Sequence, residues 1–323
     1  MNRRRFVVGA ALVLSLRDAA RAQTAERVYR LGILAAGANE RSAPFITAFE
    51  QRLRELGWVE GKNLAVDFGA GESREQAEAI VARFVRSGVD VILVPGPELG
   101  LSVASGATRT IPIVIAALNY DPVEKGYVKS LAQPGRNITG IHYRNPEVGA
   151  KQVELLHSVL PSASHVGLLW TQYSVDQVPP VEMAASRLSM QIDKVELASK
   201  SDIPAAFAKL KARRAKAAIA LGDPVVYGNR AQIAEVALEH RLPLFGQLSL
   251  AEAGGLLGFG PDLIAALRRA AEYADQILRG AAPETMPIEQ AAKFALFVNL
   301  KTAKALGVTV PQSVLLRADD VIQ

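Results

Sequence analysis

Short apolar runs alternate with helically spaced apolar residues along the first half of the chain. Strands are predicted where apolar residues cluster, at 28–34, 64–68, 89–94 and 113–117. Two helices are predicted between the first three strands: one in which Phe45, Phe49 and Leu53 recur at helical spacing and Gly57 follows as a helix stop, and one with its buried face at 77–84. The run 89–94 is almost entirely apolar, which is typical of a parallel strand buried on both faces.

After Gly140 the same alternation restarts. Strands are predicted at 165–169, 192–197, 217–221 and 244–245, and helices at 148–160, 181–190, 203–212 and 225–240. The two arrays, each of about four strand–helix units, join near 137–145. Alternation of this kind predicts two α/β lobes built on parallel, doubly wound sheets.

The last quarter of the chain departs from this alternation. A short run at 256–260 precedes a long helix over 261–279, and 280–287 has the composition of a linker. A strand is predicted at 294–298, followed by a short helix that Gly307 ends. The chain is therefore expected to cross between the lobes at several points.

The first 22 residues have the pattern of a cleaved export signal. Arg3-Arg4-Arg5 precedes an apolar run over 6–16, and Ala20-Arg21-Ala22 is a small-residue cleavage site. The run is too short to span a membrane, which takes about 20 residues. Two arginines before a variable residue and Phe6 also resemble a twin-arginine signal. A periplasmic protein beginning at Gln23 is expected.

Charge and composition narrow the possible partners. Removing the signal takes away five arginines and one aspartate, so the net charge of +5 falls to +1. A nearly neutral mature chain gives no electrostatic reason to expect nucleic-acid binding. The absence of cysteine excludes disulfides, thiolate metal sites and a lipid anchor on cysteine.

Motifs for cofactors and catalysis are missing. Gly69-Ala70-Gly71 follows a predicted strand, but Arg74 stands where a dinucleotide fingerprint needs its third glycine. The four histidines are scattered without acidic or histidine partners at metal spacing. No cofactor, no metal and no enzymatic activity are therefore expected.

The remaining candidates are loops that follow the predicted strands, where open α/β sheets bind ligands. These loops are rich in small, polar and aromatic residues, and they supply backbone amides, carboxylates and rings. The candidate ligand-binding residues are Gly37, Asn39, Pro95, Gly96, Glu98, Asn119, Tyr120, Asp121, Trp170, Tyr173, Asp223 and Gln247.

Several segments resemble the periplasmic substrate-binding proteins of ABC importers, in the group described as tryptophan/tyrosine binding proteins. The similar segments are 49–63 (FEQRLRELGWVEGKN), 110–115 (TIPIVI), Asp121-Pro122-Val123, 130–140 (SLAQPGRNITG), 252–262 (EAGGLLGFGPD) and 293–311 (KFALFVNLKTAKALGVTVP). The resemblance covers essentially the whole chain.

The resemblance implies two Rossmann-like lobes of type I periplasmic-binding-protein architecture with three hinge crossovers, near 139–143, 257–261 and 283–289. It assigns 28–139 and about 261–283 to the first lobe, and 143–257 and about 289–323 to the second. It also implies a monomer that holds a small-molecule solute between its lobes and delivers it to ABC permease subunits in the membrane.

The sequence departs from this group in two loops expected to set specificity. Pro95-Gly96-Pro97-Glu98 replaces a hydroxyl-rich loop, and Trp170-Thr171 replaces Asn-Pro. A solute with an aromatic or apolar part and a positive or hydrogen-bond-donating group is expected, with aromatic amino acids first and purine-like solutes next. A sensor module for a membrane receptor and an exported hydrolase are the alternative functions.

Overall fold

The computed structural model describes residues 27–36, 41–71, 73–118, 120–143, 146–290 and 294–323. The predicted signal at 1–22 lies outside the described residues, as do Gly37, Asn39 and Asn119. Within the described part of the chain, no helix has the length and apolarity to cross a membrane.

The first lobe is built on a six-stranded, fully parallel sheet in the order β2-β1-β3-β4-β5-β11. Its strands and helices are, in chain order, β1 (Tyr29–Ala36), α1 (Pro44–Glu55), β2 (Leu64–Gly71), α2 (Arg74–Ser87), β3 (Val91–Gly96), α3 (Glu98–Ala107), β4 (Ile113–Leu118) and β5 (Ile138–Tyr143), followed much later by β11 (Ile288–Gln290). Apolar clusters cover both faces of this sheet, as a doubly wound fold requires.

The second lobe is built on a seven-stranded sheet in the order β7-β6-β8-β9-β10-β12-β13, in which only the β10–β12 pair is antiparallel. Its first part comprises α4 (Pro146–Val159), β6 (His165–Trp170), α5 (Val178–Arg187), β7 (Gln191–Glu196), α6 (Ile203–Ala212), β8 (Ala217–Ala220), α7 (Pro224–Gly228), α8 (Arg230–Glu239), β9 (Leu244–Gly246), α9 (Leu248–Glu252) and β10 (Leu257–Pro261). Its last part comprises β12 (Phe294–Asn299), α11 (Leu300–Leu306), α12 (Gln312–Leu315) and β13 (Asp320–Ile322).

Helix α10 (Leu263–Leu278) follows the first part of the second lobe in sequence but packs on the first lobe. Arg52 of α1 pairs with Glu272 at 2.8 Å, and the Trp58 indole N–H donates to Asp275 at 2.8 Å. Alanine and leucine side chains of α10 complete the apolar cluster beneath α1. The first lobe is therefore built from two separate stretches of chain.

The chain passes between the sheets after β5, after β10 and after β11. Strands β5 and β10 occupy the first two predicted crossover ranges, and each belongs to a single sheet. The third passage follows β11, and residues 291–293 lie outside the described residues. The predicted lobe boundaries stay predictions, because sheet membership alone does not locate a hinge.

A close approach between β4 and β5 explains one glycine near the first passage. Gly140 has φ +129°, and a Cβ there would lie 2.2 Å from the carbonyl oxygen of Ile115. Only glycine adopts this backbone without strain and lets the two strands pair at this point.

Most predicted strands and helices are present, with four differences. The predicted helix over 225–240 is two helices, α7 and α8, which meet at Asn229. Helix α3 was not predicted, and neither were the short helix α9 and the short elements β11, α12 and β13 at the edges of the lobes. The stretch 137–145, expected to be a joint, contains the fully buried strand β5.

Candidate ligand site between the lobes

A small apolar chamber of ≈ 40 Å³ lies between the two lobes. We call it the inner chamber; it is lined by Phe45, Pro95, Gly96, Ala116, Leu118, Asp223, Pro224, Tyr227, Gln247, Leu263 and Leu267. Pro95, Gly96 and Leu118 are at the carboxyl ends of β3 and β4, and Gln247 follows the carboxyl end of β9. This is the position where open α/β sheets bind their ligands.

Helix starts supply most of the apolar wall. Phe45 is in the first turn of α1, which Pro44 opens. Leu263 and Leu267 are one turn apart at the start of α10, so their side chains lie on the same face. The side chain of Asp262 caps this helix by accepting from the Ala265 amide at 2.9 Å.

An aromatic pair joins the two lobes at the inner chamber. The Phe45 ring of the first lobe meets the Tyr227 ring of the second, with centroids 5.2 Å apart and planes at 69°. This edge-to-face geometry is favourable for aromatic rings. Because each ring belongs to a different lobe, the contact exists only while the lobes are close together.

Gln247 forms part of the floor because a glycine makes room for it. A Cβ on Gly222 would lie 1.6 Å from the Gln247 side-chain amide nitrogen. The Gly222 carbonyl in turn accepts from the Gln177 amide at 3.1 Å. Substitution of Gly222 by any larger residue would displace Gln247 from the chamber.

A larger chamber of ≈ 480 Å³, the outer chamber, adjoins the inner one and shares Phe45, Tyr227, Gln247 and Leu263 with it. Its other lining residues are Pro44, Arg230, Leu248, Ser249, Glu252, Pro261, Asp262, Ile264, Ala295, Phe297, Asp319 and Asp320. Its volume falls in the range of roughly 300–1,000 Å³ that is usual for small-molecule sites. The inner chamber alone is far too small for a solute.

Arg230 is fixed above the Tyr227 ring on the wall of the outer chamber. Its guanidinium carbon is 4.5 Å from the ring centroid, and its Nη1 donates to the Tyr227 carbonyl at 2.8 Å. The cation–π contact and the hydrogen bond together orient the planar guanidinium group.

Glu252 lies on the wall of the same chamber. Burial raises the pKa of its carboxyl group, the positive charge of Arg230 lowers it, and the negative charge of Asp320 raises it again. Asp319 is engaged in the fold, since its Oδ2 accepts from the Leu296 amide at 2.9 Å.

Asp223, a predicted ligand residue, lines the inner chamber but is fully hydrogen-bonded within the second lobe. Its Oδ1 accepts from the amides of Val225 and Val226, which caps α7, and its Oδ2 accepts from the hydroxyls of Thr171 and Ser174, all at 2.9 Å. Burial raises the pKa of Asp223, against the lowering effect of these hydrogen bonds.

Glu98 and Tyr120 lie beside the cleft in the first lobe but line neither chamber. Glu98 pairs with Lys125 at 3.1 Å and accepts from the Tyr127 hydroxyl at 2.9 Å. Tyr120 is 7% exposed and packs in the first-lobe core, where burial raises the pKa of its phenol. Its hydroxyl has no hydrogen-bond partner among the residues that the structure describes.

Three further predicted residues also lie outside both chambers. The Asp121 carboxylate accepts from the Val123 amide at 2.7 Å, which forms a local turn. Trp170 ends β6 and packs against the second-lobe core. The backbone amide of Tyr173 donates to the Thr171 hydroxyl at 3.1 Å.

Of the predicted residues, Pro95, Gly96, Asp223 and Gln247 are thus brought together at the inner chamber. Sequence reasoning missed the aromatic pair Phe45 and Tyr227, the charged residues Arg230 and Glu252, and the apolar residues Leu118, Leu263 and Leu267. One signal was available: Asp223-Pro224 reads as a helix start, which places Tyr227 on the first turn beside the cleft. Within the described residues, no group of three or more histidine or acidic side chains could hold a metal ion.

Two α/β lobes with the chain passing between them three times, and a cleft at the strand ends, define the type I periplasmic-binding-protein fold. The sequence model described as "ABC transporter substrate binding protein" matches residues 45–322, so the chain belongs to that family. The predicted fold class and the predicted function, solute capture for ABC uptake, are confirmed. Substrate-binding proteins of this family are extracytoplasmic and are binding proteins rather than enzymes.

Known relatives agree with this assignment. A tyrosine-binding protein of Clostridioides difficile (strain R20291) is 25% identical over 264 residues, which cover 80% of this chain and 75% of that protein. A conserved domain protein from Vibrio cholerae has a similar structure, with a TM-score of 0.81, 26% identity and coverage of 91% of this chain and 100% of that one. An ABC domain from Streptococcus pneumoniae in complex with L-Trp has a TM-score of 0.80 at 22% identity, with the same coverage.

Proposed function

We propose that this protein binds a small solute with an aromatic or apolar part between its lobes and delivers it to an ABC permease. The observation that carries the proposal is the pair of adjoining chambers, whose walls come from both lobes and include an aromatic contact across the cleft. The relatives support the aromatic part, since one is named for tyrosine and another holds L-Trp.

Mass spectrometry of solute released from the denatured, purified protein would identify the ligand, and calorimetric titration would measure its affinity. Phe45→Ala should weaken binding about tenfold or more, because the ring contributes to both chambers. Phe84→Leu is a matched control in the first-lobe core on the other side of the sheet, and it should leave affinity unchanged. Unchanged affinity in Phe45→Ala would place the solute elsewhere.

Capture should close the lobes of a monomer. A solute that binds only the closed form stabilises the protein by about 2.7 kcal/mol at a hundredfold excess over Kd. Small-angle scattering of the exported protein should give a monomer mass and a smaller radius of gyration with solute. An unchanged radius at saturation would contradict closure by a hinge.

Delivery requires an exported protein and a permease partner. The twin-arginine pattern supports export in the folded state and cleavage after Ala22. Replacing Arg3, Arg4 and Arg5 with lysine should leave precursor in the cytoplasm, whereas normal export would indicate another route. Deleting the gene should abolish high-affinity uptake of the identified solute, and unchanged uptake would contradict a role in transport.

A further inference from the structure

A charged solute needs an anchor, and two of the predicted carboxylates, Glu98 and Asp223, are already engaged by the protein. Pro95-Gly96-Pro97-Glu98 contains no hydroxyl side chain, and Glu98 is already paired with Lys125. The Asp223 carboxylate accepts four hydrogen bonds from its own lobe. These two carboxylates therefore have little capacity left for a charged group of the solute.

Arg230, unlike these residues, keeps most of its hydrogen-bonding groups unused. A guanidinium group has five N–H donors, and Arg230 uses one of them on the Tyr227 carbonyl. It forms no ion pair with any residue that the structure describes. A planar, oriented guanidinium facing a chamber of ≈ 480 Å³ is suited to bidentate binding of a carboxylate.

Glu252 supplies the opposite charge in the same chamber. It interacts electrostatically with Arg230 without forming an ion pair, so both groups keep capacity for a ligand. The apolar rings and side chains shared by the two chambers, Phe45, Tyr227 and Leu263, lie next to these charges. Positive, negative and apolar groups thus converge on one cavity.

From this arrangement we infer that Arg230 binds the carboxylate and Glu252 the ammonium group of a zwitterionic amino acid whose apolar side chain contacts Phe45 and Leu263. This inference rests on the proposed function and specifies the chemistry of the same site. It also explains how the chain holds an amino acid without a hydroxyl-rich loop after β3.

Three probes that share one side chain test the two anchors separately. L-tryptophan carries both charges, tryptamine lacks the carboxylate, and indole-3-propionate lacks the ammonium; L-tyrosine and its two analogues form a second set. Arg230→Gln should weaken the binding of L-tryptophan and indole-3-propionate about tenfold or more, while the affinity for tryptamine stays within about twofold of the wild type. Glu252→Gln should weaken the binding of L-tryptophan and tryptamine and leave the affinity for indole-3-propionate unchanged.

Arg230→Lys keeps the charge but loses the planar fork, so it should recover only part of the affinity. Arg187→Gln and Glu196→Gln change exposed residues away from both chambers and should behave as the wild type. Thermal unfolding without solute shows whether each variant is folded. If Arg230→Gln loses affinity equally for L-tryptophan, tryptamine and indole-3-propionate, the assignment of Arg230 as the partner of the carboxylate is wrong.

The outcomes also separate this inference from the proposed function. If the wild type binds a solute in a manner sensitive to Phe45→Ala, but that solute has no carboxylate or is indifferent to Arg230→Gln, the inference is wrong and the proposed function holds. If the purified protein holds no solute and the uptake test fails, both are wrong.

Discussion

The charged residues beside the cleft fall into two groups that differ in how much of their bonding capacity the protein itself uses. Asp223 accepts four hydrogen bonds, and Glu98 is held by an ion pair and a phenol. Arg230, in contrast, donates one of its N–H groups to a backbone carbonyl, and Glu252 has an unpaired carboxylate within the described structure. The first group is engaged within the protein, and the second has capacity left for a solute.

Tyr227 and Trp170 show the same contrast among the aromatic residues. Trp170 packs against the core of its own lobe. Tyr227 is also in the second lobe, yet it packs against the core of the first, with Phe45 at its edge and Arg230 above its face. A ring that bridges two lobes responds to closure, whereas a ring within one lobe does not.

The largest effect is expected from removing a carboxylate that the protein itself uses. Asp223→Ala removes the cap of α7 and leaves two buried hydroxyls without their acceptor, so the free energy of unfolding should fall by about 3 kcal/mol. Urea unfolding would measure the loss. Asp121→Ala removes only the acceptor of a local turn and should cost about 1 kcal/mol. Equal losses in the two variants would contradict the structural role of Asp223.

The next largest effect, a loss of affinity, is expected at Tyr227, the ring that bridges the two lobes. Tyr227→Ala removes the ring contacts with Phe45 and Arg230, so affinity for the identified solute should fall about ten- to thirtyfold. Tyr227→Phe keeps the ring and should retain most of the affinity. Calorimetry on Trp170→Ala sharpens the comparison, since it should stay within about threefold of the wild type. A greater loss in Trp170→Ala than in Tyr227→Ala would reverse the roles assigned to the two rings.

A smaller effect is expected at the Glu98–Lys125 pair, whose side chains are 36% and 43% exposed. Lys125→Ala should lower the free energy of unfolding by about 0.5 kcal/mol, because exposed ion pairs contribute little. The negative charge of Asp176, in the second lobe, also raises the pKa of Lys125, because the two groups attract each other between the lobes. Lys125→Ala removes this attraction, so solute binding should weaken slightly in this variant at low salt. A loss of binding that persists at high salt would mean that Lys125 contacts the solute.

The smallest effect concerns pH. Burial holds the pKa of Glu252 above its usual range, so the folded state binds this proton more tightly than the unfolded chain. The resulting cost is present at pH 7, where the carboxylate is ionised, and disappears as pH falls below the unfolded value of about 4.3. Glu252→Gln should therefore raise Tm slightly at pH 7 and not at pH 4. Arg230, Asp262, Asp319 and Asp320 line the same chamber and are present in both proteins. A higher Tm at both pH values would point to a cause other than this ionisation.

The sequence predicted the alternation of strands and helices because buried parallel strands such as Val91–Gly96 are apolar throughout. Helix α3 escaped prediction because Gly100, Gly106 and two serines give it low helical propensity. It is stabilised by packing, with Leu101, Val103 and Ala104 buried against the sheet. Helix propensity is a local property of the sequence and does not include this stabilisation by tertiary packing.

The candidate site was predictable only in part. The rule that ligands bind after strand carboxyl ends selected Pro95, Gly96, Asp223 and Gln247, which do meet at one chamber. Leu263 and Leu267 belong to a helix far along the chain, and their place at the cleft depends on the second passage between the sheets. Arg230 was hidden inside a predicted continuous helix, and the break at Asn229 sets the start of the helix that carries it.

The discontinuity of the first lobe has a consequence for the order of folding during synthesis. The face of α1 that carries Phe49 and Leu53 is covered by α10, which the ribosome makes only after the entire first stretch of the second lobe. Strand β11, which closes the sheet edge beside β5, is made later still. The first lobe to emerge therefore stays incomplete until most of the second lobe has been made, and its nascent form carries an open sheet edge and a bare apolar helix face. Such surfaces recruit chaperones and favour aggregation, so truncated products that end before residue 263 should be far less soluble than the full chain.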